Sequence, residues 1–148
     1  MASKFYDKIL IATDGSEYTK NAVDYGIDLA KNTGAKLLTI YVVDTAAFAS
    51  IPMDAAWESM YELLKQEGDA AIKYVADKAK AEGLEIEGNL IEGHPADEII
   101  KYSEKNSVSL IIMGTLGKSG LDRFLLGSVA EKVVRNSKIP VLVVRAKK

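Results

Sequence analysis

Short apolar runs alternate with helical patterns along this chain, and the alternation constrains the fold more than any other feature. Five runs read as strands, and they are KILIATD at 8–14, AKLLTIYVVD at 35–44, EIEGNLIEG at 85–93, VSLIIMG at 108–114 and PVLVVRA at 140–146. Nearly continuous apolar runs are typical of strands covered on both faces, and the third run is a weaker, alternating one. Strands that alternate with helices predict an open, Rossmann-like α/β fold, a five-stranded parallel sheet with helices on both faces.

Helical periodicity fills the gaps between these runs. The predicted helices lie in the stretch 15–34, from about Asp54 to Glu82, from Pro95 to about Lys105, and from Ser128 to Asn136. Gly34 and Gly83 suit helix ends, and proline suits a first helical turn. The segment 45–57 has no clean period and contains Pro52, so we predict a loop there.

Composition excludes several classes of function. A length of 148 residues, with no repeat or linker, is typical of one domain. The absence of cysteine excludes disulfides, thiolate zinc sites and a cysteine nucleophile. A net charge of −2 gives no basic excess for binding nucleic acid. Because no run is long enough to span a bilayer and no signal-like segment opens the chain, we expect no membrane contact and a cytoplasmic location.

The predicted sheet also indicates where a ligand would bind. In open parallel sheets, ligands lie beyond the carboxyl ends of the strands, where the strand order reverses. Asp14, Val42 to Asp44, Gly93 and Gly114 follow or end predicted strands. We therefore expect a site among these residues.

The glycine-rich stretch 113–134, MGTLGKSGLDRFLLGSVAEKVV, contains a Gly-Lys-Ser triplet that resembles the end of a Walker A loop. That loop needs a glycine five residues before the second one, and Ile112 stands there instead. Gly120 follows the triplet, although the loop must pass directly into a helix. We therefore reject the Walker A interpretation. The dinucleotide fingerprint Gly-x-Gly-x-x-Gly is also missing after the first strand.

A different spacing of glycines favours a phosphate site. Two residues separate Gly114 from Gly117, and nine more separate Gly117 from Gly127-Ser128, at a predicted helix start. A helix N-terminus presents free N–H groups to anions, and Lys118 and Arg123 would add mobile positive charge. As an alternative, Ser128 and Glu131 form a capping-box pattern, so that Ser128 would only cap its helix.

The chain resembles the universal stress protein family, and its glycine spacing resembles that of the family's ATP-binding branch. The resemblance rests on Gly-x2-Gly-x9-Gly-Ser, on the Thr-Asp-Gly-Ser opening at 13–16 and on SKIPVLVV near the end, and it covers nearly the whole chain. It implies an open sheet of five parallel strands and dimers formed through the last strand. That strand is apolar on both faces, and an exposed apolar edge is an aggregation hazard unless it is paired or covered within the chain.

The resemblance also implies roles for individual residues. Asp14, with Thr13 beside it in the opening motif, would lie near the ribose and a Mg²⁺ ion. Ala12 would lie near the base, and the backbone of Val42 would meet adenine. The residues that would border the nucleotide and its phosphates are Met113, Gly114, Gly117, Gly127, Ser128 and Val129. Lys118 and Arg123 join this set through their charge and not through the resemblance.

Some of these residues also have purely structural interpretations. Asp14 could cap the next helix or form an Asx-turn. His94 is the single histidine, and we assign it to a structural or rim position, because one histidine does not make a triad. We assign Met53, Trp57, Met60 and Tyr61 to packing in the core or in a dimer, with a lid over adenine as the alternative.

The hypothesis that these patterns favour is an ATP-binding regulatory or stress-response protein. The first alternative is an enzyme, a slow ATPase or phosphotransferase, although no catalytic base stands out in the sequence. The second is a phospho-receiver domain of the same layout, which would need an acidic pair after the first strand. The motif TDGSEYT lacks that pair.

Overall fold

The structure is a computed structural model that describes residues 5–115 and 126–146. The strands in these residues are β1 Lys8–Ala12, β2 Lys36–Asp44, β3 Ile86–Gly93, β4 Leu110–Gly114 and β5 Val141–Val144. The helices are α1 Lys20–Thr33, α2 Ala55–Ala81, α3 Pro95–Lys105 and α4 Ser128–Asn136, and 3-10 helices cover Glu17–Thr19 and Thr45–Phe48. The predicted strands and helices are all present. Their ends shift by a few residues from the predicted bounds, chiefly because β1 stops at Ala12 and β5 at Val144.

The five strands form one parallel sheet in the order β3-β2-β1-β4-β5. The chain moves from β1 outward to β3, crosses back to β4 beside β1, and then ends at the opposite edge. The helices α1 and α2 pack on one face of the sheet, and α3 and α4 pack on the other. The predicted fold class is confirmed.

Each face of β1 belongs to a different hydrophobic core. Ile9 and Ile11 pack with residues of α1 and α2, whereas Leu10 and Ala12 pack with residues of α3 and α4. All four side chains are buried, as expected for a central strand of a doubly covered sheet. A Cβ atom at Gly26 would lie only 2.6 Å from the Ile11 side chain, so this glycine lets α1 pack closely over β1.

The helix ends follow the local signals in the sequence. Gly34 adopts a left-handed conformation with φ 75° after α1. The Asp54 carboxylate caps α2 by accepting hydrogen bonds from the N–H groups of Ala56 and Trp57 at 3.0 and 3.2 Å. Pro95 lies in the first turn of α3, as predicted.

The segment before α2 differs from the prediction in two respects. Instead of a plain loop it contains the 3-10 helix Thr45–Phe48, whose Phe48 is buried. Met53 and Met60 are 80% and 41% exposed, so of the two expected packings the core is wrong for them and a dimer contact stays a prediction. Trp57 stacks on Tyr61 at a centroid distance of 5.5 Å and meets the Phe48 ring edge at 5.3 Å. The apolar residues here thus form a small aromatic cluster beside the sheet, because the first turns of α2 extend past the core. The first buried residue of this helix is Gly68.

Within the described residues, no helix combines the length and the apolar character needed to cross a bilayer.

Candidate functional site

A cavity of about 300 Å³ opens at the carboxyl ends of the strands, beside the point between β1 and β4 where the strand order reverses. This is the place where open α/β sheets bind ligands. Nine of the residues singled out in the sequence line it, and they are Ala12, Thr13, Asp14, Val42, Met113, Gly114, Gly127, Ser128 and Val129. The other three, Gly117, Lys118 and Arg123, lie outside the described residues.

The turn after β1 is held by its own side chains. The Ser16 N–H donates to the Asp14 carboxylate at 2.9 Å, which is an Asx-turn. The Thr13 hydroxyl accepts a hydrogen bond from the Gly15 N–H at 3.1 Å and lies 3.3 Å from the Thr19 hydroxyl. The structural interpretation of Asp14 is therefore realised, and the same residue also lines the cavity.

Within residues 5–115 and 126–146, the end of β2 presents an unpaired backbone edge to the cavity. The hydrogen bonds between β1 and β2 end where the Thr13 N–H donates to the Ile40 carbonyl at 3.1 Å. Along a strand, alternate residues turn their N–H and C=O groups to the same side. Val42, two residues after Ile40, therefore turns both groups towards the side of β1, beyond the end of that strand. The N–H donor and the C=O acceptor of Val42 therefore lie next to each other there.

The opposite wall combines the end of β4 with the start of α4. The Gly127 N–H donates to the Thr115 carbonyl at 2.7 Å, and the Thr115 N–H donates to the Val144 carbonyl at 3.1 Å. These bonds hold the start of α4 against the end of the sheet. The helix thus directs its N-terminus, with its free N–H groups, at the cavity.

The capping-box interpretation of Ser128 is wrong. The N-cap residue is Gly127, and Ser128 is the first residue of α4. Glu131 does not reach back to the helix start, because its carboxylate bonds Arg135 at 2.6 Å. The Ser128 side chain makes no hydrogen bond within the described part of the chain, and it lines the cavity.

Sequence reasoning did not identify several residues of the lining. They come from the turn before α1, the helices α2 and α3, and the residue after β4, and they include Thr19, Leu64, Pro95, Ile99 and Thr115. Asp44, which the sequence placed at a strand end where a site was expected, also lines the cavity. The α3 residues carried no signal, because only the crossover from β3 brings that helix beside the site.

An ion pair links α3 and α4 beside the candidate cavity. The Lys132 ammonium of α4 lies 3.1 Å from the Asp97 carboxylate of α3, and this contact lowers the pKa of Asp97 below its ordinary value. His94 lies 3.8 Å from the same carboxylate and outside the cavity lining. Both contacts are exposed, so they align the helices only weakly.

A second cavity of about 470 Å³ lies between the turn after β1 and α2, and it shares Thr13, Asp14 and Thr19 with the first. Its rim carries the carboxylates of Glu17 and Glu67, and the Lys20 ammonium is already paired with Glu17 at 2.7 Å. These charges disfavour an anion, and neither the edge of β2 nor the start of α4 reaches this space. The smaller cavity is therefore the candidate site.

The described residues contain no group of three or more metal-ligating side chains. A Mg²⁺ ion at Asp14 would therefore need further oxygen ligands from a bound molecule. Mg²⁺ sites with one or two protein carboxylates, completed by water and substrate phosphates, are common.

Comparison with known proteins agrees with this architecture. The family model for the universal stress protein family matches residues 5–145. This chain belongs to the universal stress protein family. Among curated members, it is 47% identical over 143 residues to universal stress protein MJ0531 of Methanocaldococcus jannaschii. The aligned part covers 97% of this chain and 84% of that protein.

Solved structures of similar proteins share the fold. Hypothetical protein MJ0577, the subject of a structure-based assignment of biochemical function, superposes with a TM-score of 0.84 at 30% identity, over 97% of this chain and 99% of that one. A universal stress protein in complex with cAMP superposes with a TM-score of 0.71 at 28% identity, over 97% and 100% of the two chains. That relative binds an adenine nucleotide.

Proposed function

We propose that this chain is a single cytoplasmic ATP-binding domain that acts as a regulatory or stress-response protein and holds MgATP in the crevice beside β1 and β4. One observation carries the proposal. The nine described residues that the glycine spacing and the family resemblance assign to the nucleotide all line one cavity at the carboxyl ends of the strands.

The adenine base is assigned to the β1–β2 side. The Val42 N–H can donate to N1 of adenine, and the Val42 carbonyl can accept from the 6-amino group, because both face the crevice beyond the end of β1. Ala12 and Met113 are apolar side chains of the same lining, suited to the faces of a base. The bound nucleotide in one structural neighbour, cAMP, carries the same base.

The phosphates are assigned to the start of α4. Free N–H groups and the helix dipole favour an anion there, and Gly127 has no side chain to keep a phosphate away. The Ser128 hydroxyl adds a donor. On sequence spacing alone, Gly117, Lys118 and Arg123 complete the cradle, and Asp14 holds the Mg²⁺ ion together with phosphate oxygens.

Native mass spectrometry of the freshly purified protein tests this proposal. The expected result is a mass increment equal to ATP, or to ATP with Mg²⁺, that grows on addition of MgATP. Protein that carries no nucleotide, and takes up none at millimolar MgATP, would contradict the proposal.

A turnover experiment separates a binding module from a slow ATPase or phosphotransferase. We expect the protein to hold MgATP for minutes or longer without release of phosphate, because the role proposed here is binding. Steady production of ADP by the wild type, lost in a variant of Asp14, would favour the enzyme instead.

We also propose a homodimer formed through β5. The two edges of the sheet differ, since β3 carries Glu87 and Glu92 whereas β5 consists of the apolar residues 141–144. Charged residues protect an edge strand from pairing, and an apolar edge invites it. A two-fold axis beside β5 would pair the strand with its own copy.

Backbone geometry supplies a sharp test of the dimer. The Pro140 and Val144 carbonyls accept from β4 and from Thr115 at 3.0 and 3.1 Å, so alternation turns the Val143 N–H outward. Val143→Pro should therefore give a folded monomer, because it removes an outward donor and keeps the bonds to β4. Light scattering at micromolar concentration measures the outcome. A wild-type monomer under these conditions would refute the dimer.

A further inference from the structure

The last residue of β2, Asp44, lies beside the edge assigned to the base. Asp44 lines the candidate cavity and is half-buried. Asp44 comes two residues after Val42, so the two side chains lie on the same face of the sheet. The carboxylate thus stands one step beyond the Val42 backbone, towards the carboxyl end of the strand.

One hydrogen bond orients this carboxylate and leaves it with capacity to accept more. Its Oδ1 accepts from the Ala47 N–H at 3.0 Å and so caps the 3-10 helix Thr45–Phe48. Across residues 5–115 and 126–146, no ammonium or guanidinium group forms an ion pair with Asp44, and no other donor bonds it. An ionised carboxylate has acceptor sites on both oxygens and donates nothing. A hydrogen-bond donor in the cavity would therefore find an acceptor held in place.

A 6-aminopurine offers such a donor. If N1 accepts from the Val42 N–H and one amino hydrogen donates to the Val42 carbonyl, the second amino hydrogen is directed along the strand, towards Asp44. A 6-oxopurine carries a hydrogen on N1 and a carbonyl oxygen at position 6. In the same pose its N1–H would oppose the Val42 N–H, and its oxygen would oppose both the Val42 carbonyl and the Asp44 carboxylate.

We propose that the Asp44 carboxylate accepts a hydrogen bond from the 6-amino group of the bound base and selects 6-aminopurine over 6-oxopurine nucleotides. This inference rests on the proposed function. The backbone of Val42 reads one edge of the base, and this contact does not depend on which side chain the residue carries. Asp44 adds a side chain whose charge rejects the oxo group, because unlike an amide it cannot turn a donor towards it.

The test compares ATP with ITP, its 6-oxo counterpart, on the full chain and on Asp44→Asn. Asparagine keeps an oxygen that can accept from the Ala47 N–H, and its amide nitrogen can donate to a 6-oxo group. Titration calorimetry with each nucleotide and Mg²⁺ gives the ratio of the two dissociation constants. We expect the wild type to prefer ATP, and the variant to lose about tenfold of that preference, since hydrogen bonds to charged groups are the strong ones.

Asp54→Asn is the matched control. Asp54 is also a capping aspartate in the same segment, but it does not line the cavity. The Asp54→Asn variant should leave the ratio of the two dissociation constants unchanged, although it changes the net charge of the protein by the same amount. A ratio in Asp44→Asn within about twofold of wild type would overturn the inference while leaving ATP binding intact, and so would an equal loss of affinity for both nucleotides. A wild type that binds neither nucleotide would overturn the proposed function as well.

Discussion

The two walls of the crevice are built from different chemistry. On the β1–β2 side, side chains and an open strand edge face the cavity, and the carboxylates of Asp14 and Asp44 supply acceptors. On the β4–α4 side, a helix start faces the cavity and supplies N–H donors around Gly127 and Ser128. The β1–β2 wall therefore suits a metal ion and the hydrogen-bond donors of a base and a ribose. The β4–α4 wall suits an anion.

The difference predicts how each wall responds to mutation. Backbone donors do not depend on the identity of the side chain, but they fail when a side chain keeps the ligand away. Carboxylates fail when their charge is removed, and the wall around them keeps its shape. A steric change at α4 should thus have the largest effect on nucleotide binding, and a change of charge at β1 a smaller one.

Gly127→Val should weaken ATP binding about a hundredfold or more. Gly127 has φ −62° and ψ 155°, a conformation open to any residue, so the substitution tests the space in front of the helix rather than the fold. Overpacking alone costs roughly 1–3 kcal/mol, and the phosphate also loses its contact with the N–H groups. Titration calorimetry with MgATP measures the loss, and circular dichroism verifies the fold.

Leu126→Val is the control for that change. The residue immediately precedes Gly127, is 39% exposed and does not line the cavity. It should bind ATP as the wild type does. If folded Gly127→Val also kept wild-type affinity, the assignment of phosphates to the start of α4 would be wrong.

Asp14→Ala should weaken MgATP binding about ten- to hundredfold, because it removes the carboxylate proposed to hold the Mg²⁺ ion, and a contact with a charged group contributes roughly 1.5–3 kcal/mol. Asp14→Asn separates two roles of this side chain. Its amide oxygen can still accept from the Ser16 N–H, so the turn is kept and the charge next to the metal is lost. We expect a similar loss for both variants.

Chelation of Mg²⁺ sharpens this prediction. Without the ion, the wild type and Asp14→Asn should bind ATP with similar affinity, since the carboxylate then has no cation to hold. Asp28→Asn, on the exposed side of α1, is the control for net charge. Equal affinity of wild type and Asp14→Asn for MgATP would remove Asp14 from the proposed metal site.

The walls also differ in how far the sequence predicted them. The end of β1 and the start of α4 carry local signals, namely an aspartate after an apolar run and a glycine before a periodic one. Both line the candidate cavity, and the start of α4 at Ser128 is as predicted, whereas β1 ends two residues before Asp14. The capping-box alternative at Ser128 failed because the sequence pattern allows either Ser128 or Gly127 to be the N-cap residue. Only the backbone of Gly127 shows which of the two it is.

Residues brought in by the topology could not be predicted in this way. Pro95 and Ile99 of α3 reach the site because β3 lies at the far edge and its crossover returns over β2. Met53 and Met60 looked like core residues because they are large and apolar. Met60 is exposed because the first turns of α2 extend past the sheet, and helical periodicity does not set that distance, whereas Met53 precedes the helix.

Lys118→Ala should have the smallest effect, a loss of about fivefold or less. In a Walker A loop the lysine is central to phosphate binding, but Ile112 stands where that loop needs its first glycine. The wall proposed here binds phosphate mainly through backbone N–H groups, and Lys118 would add one positive charge. One charge pair at 4 Å is worth about 1 kcal/mol in bulk water, which corresponds to about a fivefold change in affinity.

Lys65→Ala is the control for net charge, because Lys65 is an exposed lysine of α2 outside the cavity lining. Calorimetry at low and high salt should show the small difference fading as salt screens it. Complete loss of ATP binding in folded Lys118→Ala would mean that a side chain dominates this wall, and the contrast between the two walls would then be wrong.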